Sequence, residues 1–161
     1  MRKIAICAAA LAATVATPAL AGPNGTVTRT MDVVLNVTTS CTLTTPTTMD
    51  FGFLTSVTGG TSVTRTSQVT CTPGAAYTVS VDGGQNFDTI AGQRRLKAVS
   101  GTTTVNYDVL QSDGSTAWPA AGQAGTGNGA AQDVVMIGKL NQATEVAAGE
   151  YRDVLTITLD Y

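Results

Sequence analysis

An all-β fold, an antiparallel sandwich, is predicted by three observations. Short runs of alternating apolar and polar residues recur along the chain, separated by Gly-, Pro- and Asp-containing turn signals. No stretch of length after the first 21 residues carries an apolar period of 3.6. Thr, Ser, Gly, Val and Ala dominate, while charged residues make up only 12% of the chain, a composition that favours strands joined by neutral loops.

The chain opens on a segment that does not belong to the sandwich. Arg2 and Lys3 precede an Ala-rich apolar run, Ile4 to Val15, which is short for a bilayer span. Pro18 and then Ala19-Leu20-Ala21 give the end of a helix and the small-x-small pattern of a signal peptidase site. Residues 1–21 are therefore expected to be a signal peptide, with Gly22 to Tyr161 as the 140-residue exported chain, enough for one domain with a core. No later segment is long and apolar enough to be a transmembrane helix, so direct membrane insertion is not expected.

Removing residues 1–21 takes Cys7 away and leaves Cys41 and Cys71. An even cysteine count in an exported chain reads as a disulfide, and closing a loop of about thirty residues contributes roughly 3.5 kcal/mol in the chain-entropy account. With no His anywhere and the two Cys far apart in sequence, no metal site is expected. The same removal leaves seven basic against eleven acidic residues, a formal charge of −4. Nucleic acid and anionic membrane both demand a basic face, so neither is an expected partner.

Residues 26–38 form a spare strand directly behind the signal. Val27, Met31, Val33, Leu35 and Val37 fall on one face, and Thr26, Thr28, Thr30, Asp32, Asn36 and Thr38 on the other. Arg29 falls on the apolar face and breaks the series. No hairpin partner follows, since Thr39, Ser40 and Cys41 lead into a polar, Pro-containing stretch.

Further strands are expected over Ser62–Cys71, over Tyr77–Val81 up to Gly83-Gly84, over Arg94–Val99, and over Val105–Leu110 up to Ser112-Asp113-Gly114. Ser115 to Gln132, rich in Gly and Ala and holding Trp118-Pro119, reads as a long loop. Asp133–Leu140 reads as a strand buried on both sides. Tyr151–Tyr161 reads as one final strand, with Leu155, Ile157, Leu159 and Tyr161 on one face. Several short strands at this spacing indicate a sandwich of immunoglobulin-like architecture. An extra strand at one end of the chain and an apolar-faced strand at the other suggest strand exchange between chains.

Catalysis finds little footing. The commonest general base is missing with His, both thiols are consumed, and the carboxylates are scattered with no pair placed for glycoside hydrolysis. No catalytic residue and no cofactor are expected. Tyr77, Tyr107, Tyr151 and Tyr161 are read as core or rim residues. Trp118 is open between a binding aromatic and a locally packed one, and Asp82-Gly83-Gly84 is read as a turn rather than a calcium site.

The ordered motifs resemble a known family. Val33-x-Leu35-Asn36-x-Thr38-x-x-Cys41, Asp50-Phe51-Gly52, Val69-x-Cys71, Tyr77-Thr78-Val79-x-x-Asp82-Gly83-Gly84, Arg95-Leu96, Tyr107-x-Val109 and Gly149-x-Tyr151-x-Asp153-x-Leu155-x-Ile157-x-Leu159-x-Tyr161 are similar to the spore coat protein U domain. That family includes the pilins of archaic (Csu-type) chaperone–usher systems. The resemblance implies an incomplete immunoglobulin-like sandwich, lacking its final strand and completed by a donor strand from a neighbouring subunit. It implies a structural role in an extracellular pilus, with adhesion and biofilm formation, and secretion through the periplasm to the cell surface. It also implies identical or related pilin subunits, a periplasmic chaperone and an outer-membrane usher as partners. Carried onto this chain, residues 22–39 are the donor extension, with Val27, Met31, Val33, Leu35 and Val37 as donor residues. Residues 40–161 are the pilin domain, with Leu155, Ile157, Leu159 and Tyr161 beside the acceptor groove. A secreted monomeric binding or spore-coat module is the alternative that the residues leave open.

Overall fold

A computed structural model describes residues 25–44, 46–141 and 145–161. The expected signal peptide, 1–21, lies outside the described residues, as do the first three of the extension. The chain divides into two units, Met1–Asn36 and Val37–Tyr161. In the first, residues 25–36 form no strand and their side chains are exposed, Met31 by 85%, Val33 by 92% and Leu35 by 84%. The alternation there has no ladder. A strand's backbone groups are satisfied by a neighbouring strand, and in its absence water takes them.

The second unit is an immunoglobulin-like sandwich of antiparallel strands, with no helix among the described residues. Its strands are β1 (Cys41–Leu43), β2 (Ser62–Cys71), β3 (Ala76–Val81), β4 (Arg94–Ala98), β5 (Thr104–Leu110), β6 (Gln123–Thr126), β7 (Ala131–Leu140), β8 (Tyr151–Arg152) and β9 (Ile157–Asp160). One sheet runs β1-β2-β7-β5-β4-β8, and the facing sheet holds only β6-β3-β9. Between them lies a core of Val69, Tyr77, Val79, Val105, Tyr107, Val109, Met136 and Leu140, all buried. Each sits at an alternate position of its strand, as the period of two requires.

Three expectations are corrected. The Gly- and Ala-rich stretch 115–132 is not all loop: β6 lies within it and β7 begins at Ala131. β6 shows no apolar alternation because its Gly125 lies under the Tyr77 ring, where any Cβ would collide. Asp133–Leu140 is not buried on both sides. Val134, Met136 and Leu140 are buried, while Val135, Ile137 and Lys139 are half-buried on the sheet's outer face. Tyr151–Tyr161 is not one strand but two in different sheets, since β8 pairs with β4 and β9 with β3.

Trp118 is neither exposed nor packed locally: it is 4% exposed in the sandwich core, its Nε1 donating to the Val79 carbonyl of β3. An indole buried with its N–H satisfied is a core element rather than a binding surface. The Asp82 turn forms as read, with the Gly84 N–H donating to Asp82 Oδ1.

Cys41 and Cys71 form a disulfide, directly opposite each other in the β1–β2 register with Cα atoms 4.1 Å apart. It fixes the three-residue edge strand β1 to the ten-residue β2. Mass spectrometry of the unreduced exported chain is expected to show one intramolecular link and no free thiol. Replacing both cysteines by Ser is expected to lower stability by about 2–4 kcal/mol in urea titration. Free thiols in the native chain, or an unchanged midpoint in the double variant, would contradict this.

Candidate functional site

A six-stranded sheet faces a three-stranded one, so part of the large sheet's inner face has no strand above it. Within the second unit this leaves a groove of about 380 Å³. Its floor is the apolar inner face of the large sheet, with Leu96 from β4, Tyr107 and Val109 from β5, and Met136 from β7. One wall is Leu155 and Ile157, leading into β9. The opposite wall is Met49 and Phe51, from the connection between β1 and β2. Met49 and Phe51 settle against Gly138 of β7, where a Cβ would strike the Met49 sulfur.

The wall at β9 is also an unpaired sheet edge among the described residues, because there β9 is the terminal strand of its sheet and pairs only with β3. The register Thr78↔Asp160 and Ser80↔Thr158, with the Asp82 N–H donating to the Thr156 carbonyl at 3.0 Å, fixes which residues face β3. Thr156, Thr158 and Asp160 direct their backbone groups inward to that ladder. By the alternation of antiparallel pairing, Ile157 and Leu159 direct theirs at the open edge. Apolar side chains on one face and free backbone groups along one edge are the two requirements for accepting an added strand.

The wall is held by a polar clamp. The chain crosses from one sheet to the other over residues 153–156, and two carboxylates fasten the crossing. Asp153 Oδ2 accepts from the Tyr107 hydroxyl at 2.7 Å, and its Oδ1 accepts from the Asn86 backbone and side-chain nitrogens at 3.0 and 3.1 Å. Asp82 Oδ1 accepts from the Thr156 N–H at 2.9 Å. Burial, and then the bond to Asp153, push the Tyr107 hydroxyl well above the usual phenol range, so it remains a donor. Partial burial pushes the Asp82 carboxyl up, but hydrogen bonds from Thr156 and Gly84, with Arg94 nearby, outweigh it and hold the group below its usual range.

The expected acceptor residues divide. Leu155 and Ile157 line the groove, Leu159 is half-buried against the core beyond it, and Tyr161 is 64% exposed. The expected donor residues Val27, Met31, Val33, Leu35 and Val37 are all exposed, Val37 by 73%. Met49, Phe51, Leu96, Met136 and Asp153 were not expected at the groove. A signal for the first two existed, since Met49-Asp50-Phe51 is a short apolar alternation inside a polar stretch. No group of three or more Cys, Asp or Glu able to hold a metal occurs among the described residues.

The Spore Coat Protein U domain matches residues 27–158. Among solved structures, the chain is similar to one in the CsuC–CsuE chaperone–tip adhesion subunit pre-assembly complex from archaic chaperone–usher Csu pili of Acinetobacter baumannii. Identity is 18% and the TM-score 0.51, over 78% of this chain and 40% of that one, so the likeness is one of fold. The E. coli Hda pilus minor tip subunit, HdaB, aligns at 12% identity with a TM-score of 0.40, over 74% of this chain and 79% of that one. No curated protein sequence matches the chain.

Proposed function

The chain belongs to the Spore Coat Protein U domain family, and from that premise we propose that it is a structural subunit of a chaperone–usher pilus, polymerising by donor-strand exchange. The observation that carries this reading is the mismatch of the two sheets, six strands over three, with the groove along the open β9 edge. The chain itself carries a segment of the right chemistry in residues 26–38, exposed and alternately apolar. In a fibre, the extension of one subunit, residues 22–39, fills the groove of the domain 40–161 of the next. Main-chain hydrogen bonds lock it and Val27, Met31, Val33, Leu35 and Val37 supply the apolar face.

A periplasmic chaperone holds the groove until an outer-membrane usher exchanges it for the next subunit's strand. The expected export signal and the chaperone complex named for the similar structure support that route. The product is then a fibre at the cell surface that supports adhesion and biofilm formation. The role is structural, and the proposal assigns no catalytic step.

Deleting residues 22–38 separates this reading from a secreted monomeric module. Fibres seen by electron microscopy of cells producing the full chain with its assembly machinery are expected to vanish, while the truncated subunit still accumulates in the periplasm. Fibres that persist after the deletion would overturn donor-strand exchange.

A further inference from the structure

We infer that Arg29 sets the direction and register of the incoming strand, by lying over the Tyr161 ring of the neighbouring subunit. The inference rests on the donor-strand reading and adds to it a residue-by-residue alignment. The groove edge presents Leu155, Ile157 and Leu159, all half-buried, and then Tyr161, 64% exposed. The apolar inward series breaks there. Read backwards, the extension presents Leu35, Val33 and Met31, and then Arg29, where its own apolar series breaks.

An antiparallel approach brings the two series into step. Leu35 comes opposite Leu155, Val33 opposite Ile157, Met31 opposite Leu159, and Arg29 opposite Tyr161. Residues directly opposite on antiparallel strands share a face, so each inward side chain meets an inward partner. The two exceptions meet each other outside the groove. There the guanidinium stays in water with its stem along the ring, a cation–π arrangement with no desolvated charge.

The opposite direction fails on the Asp153 end. With Val33 kept at Ile157, a parallel strand carries Arg29 to Asp153, which lines the groove and is half-buried. That carboxylate already accepts from the Tyr107 hydroxyl and from both Asn86 nitrogens. A guanidinium brought there loses water and finds its acceptor largely occupied. Sliding the antiparallel strand by two residues in one sense pushes Arg29 over Leu159, and in the other sense carries Arg29 past the ring and sets Met31 against Tyr161 in its place. Arg29 therefore works as much by what it forbids as by what it touches.

Cysteine pairs in fibres or strand-exchanged oligomers of the full chain test this. Met31→Cys with Leu159→Cys is expected to give an intermolecular crosslink on oxidation, identified by mass spectrometry with Cys41–Cys71 intact, because opposite Cα atoms fall within disulfide reach. A crosslink appearing instead with Met31→Cys and Leu155→Cys would reverse the direction. One appearing with Val33→Cys and Leu159→Cys would shift the register by two. Oligomers with no crosslink in any pair would also overturn the alignment. Failure of the unmodified chain to oligomerise would overturn the donor-strand reading itself, which is a separate result. In the same assemblies Arg29→Glu and Tyr161→Ala are each expected to speed subunit dissociation roughly threefold or more. Tyr161→Phe, which keeps the ring, is expected to leave it unchanged. Equal dissociation rates for all three would remove Arg29 from this role.

Discussion

A chain that carries a second copy of residues 26–38 after Tyr161, on a flexible linker, is expected to be monomeric and to melt at least about 10 °C above the unmodified chain. The copied strand enters the chain's own groove and completes the three-stranded sheet along β9. Burying Met31, Val33 and Leu35 contributes about 1.5–3 kcal/mol each, and new ladder bonds satisfy the open edge at Ile157 and Leu159. Ordering the strand costs about 1–2 kcal/mol per residue, which offsets much of that gain. The tether reduces the remaining cost of association by raising the effective concentration. The unmodified exported chain, by contrast, is expected to be found bound to a chaperone, as a strand-exchanged oligomer, or aggregated, because its edge is a template for other chains. Size-exclusion and melting curves for both proteins decide the matter. An unmodified chain that is already monomeric and just as stable would mean its fold is complete, and the monomeric module would become the better reading.

Replacing Val33 and Leu35 together by Asp is expected to abolish fibres while leaving accumulation in the periplasm intact. Each truncation of a buried aliphatic costs about 1–4 kcal/mol of burial and packing. A carboxylate forced into a groove floored by Val109 and Met136 adds a larger penalty, because Arg65, the basic side chain in its lining, already donates to the Thr48 and Thr64 carbonyls. Both positions are exposed in the isolated chain, so folding of the domain is not at stake. A size-conserving control, Val33→Ile with Leu35→Met, is expected to keep fibres at nearly the normal level. Normal fibres from the Asp double variant would end the donor-strand hypothesis.

Strands whose apolar residues alternate over a buried face were legible in the sequence. β3 and β5 were bounded within a residue because their inward residues are Val and Tyr, and β2 was bounded correctly at Ser62 and Cys71 by its Thr- and Val-rich run ending at the cysteine. β6 was illegible for the opposite reason: its function in the sheet requires Gly and Ala under the Tyr77 ring. The division of the last segment into β8 and β9 left no trace in the alternation, since Tyr151, Leu155, Ile157 and Leu159 keep the same parity throughout. What makes the chain change sheets is bonding to Asn86, Tyr107 and Asp82, residues about 46 to 74 positions away, as the spacings of those hydrogen bonds show. One wall of the groove was readable because it is a strand. The other, Met49 and Phe51, left only a three-residue alternation, because it belongs to a connection without regular structure.

The placement of the disulfide has a mechanical consequence. In the proposed fibre, pulled lengthwise, tension would reach a subunit through the residues that follow its own extension and leave through the strand seated in its groove. The first of these anchors is Cys41, and its sulfur is bonded straight to Cys71 at the end of β2. Load therefore passes across the sulfur bridge and skips the connection between β1 and β2, residues 44–61, whose peptide bonds stay slack. Met49 and Phe51 lie inside that slack loop. The grip on the neighbour's strand is thus kept out of the line of force, so that stretching the fibre does not begin by peeling open the wall that holds it together.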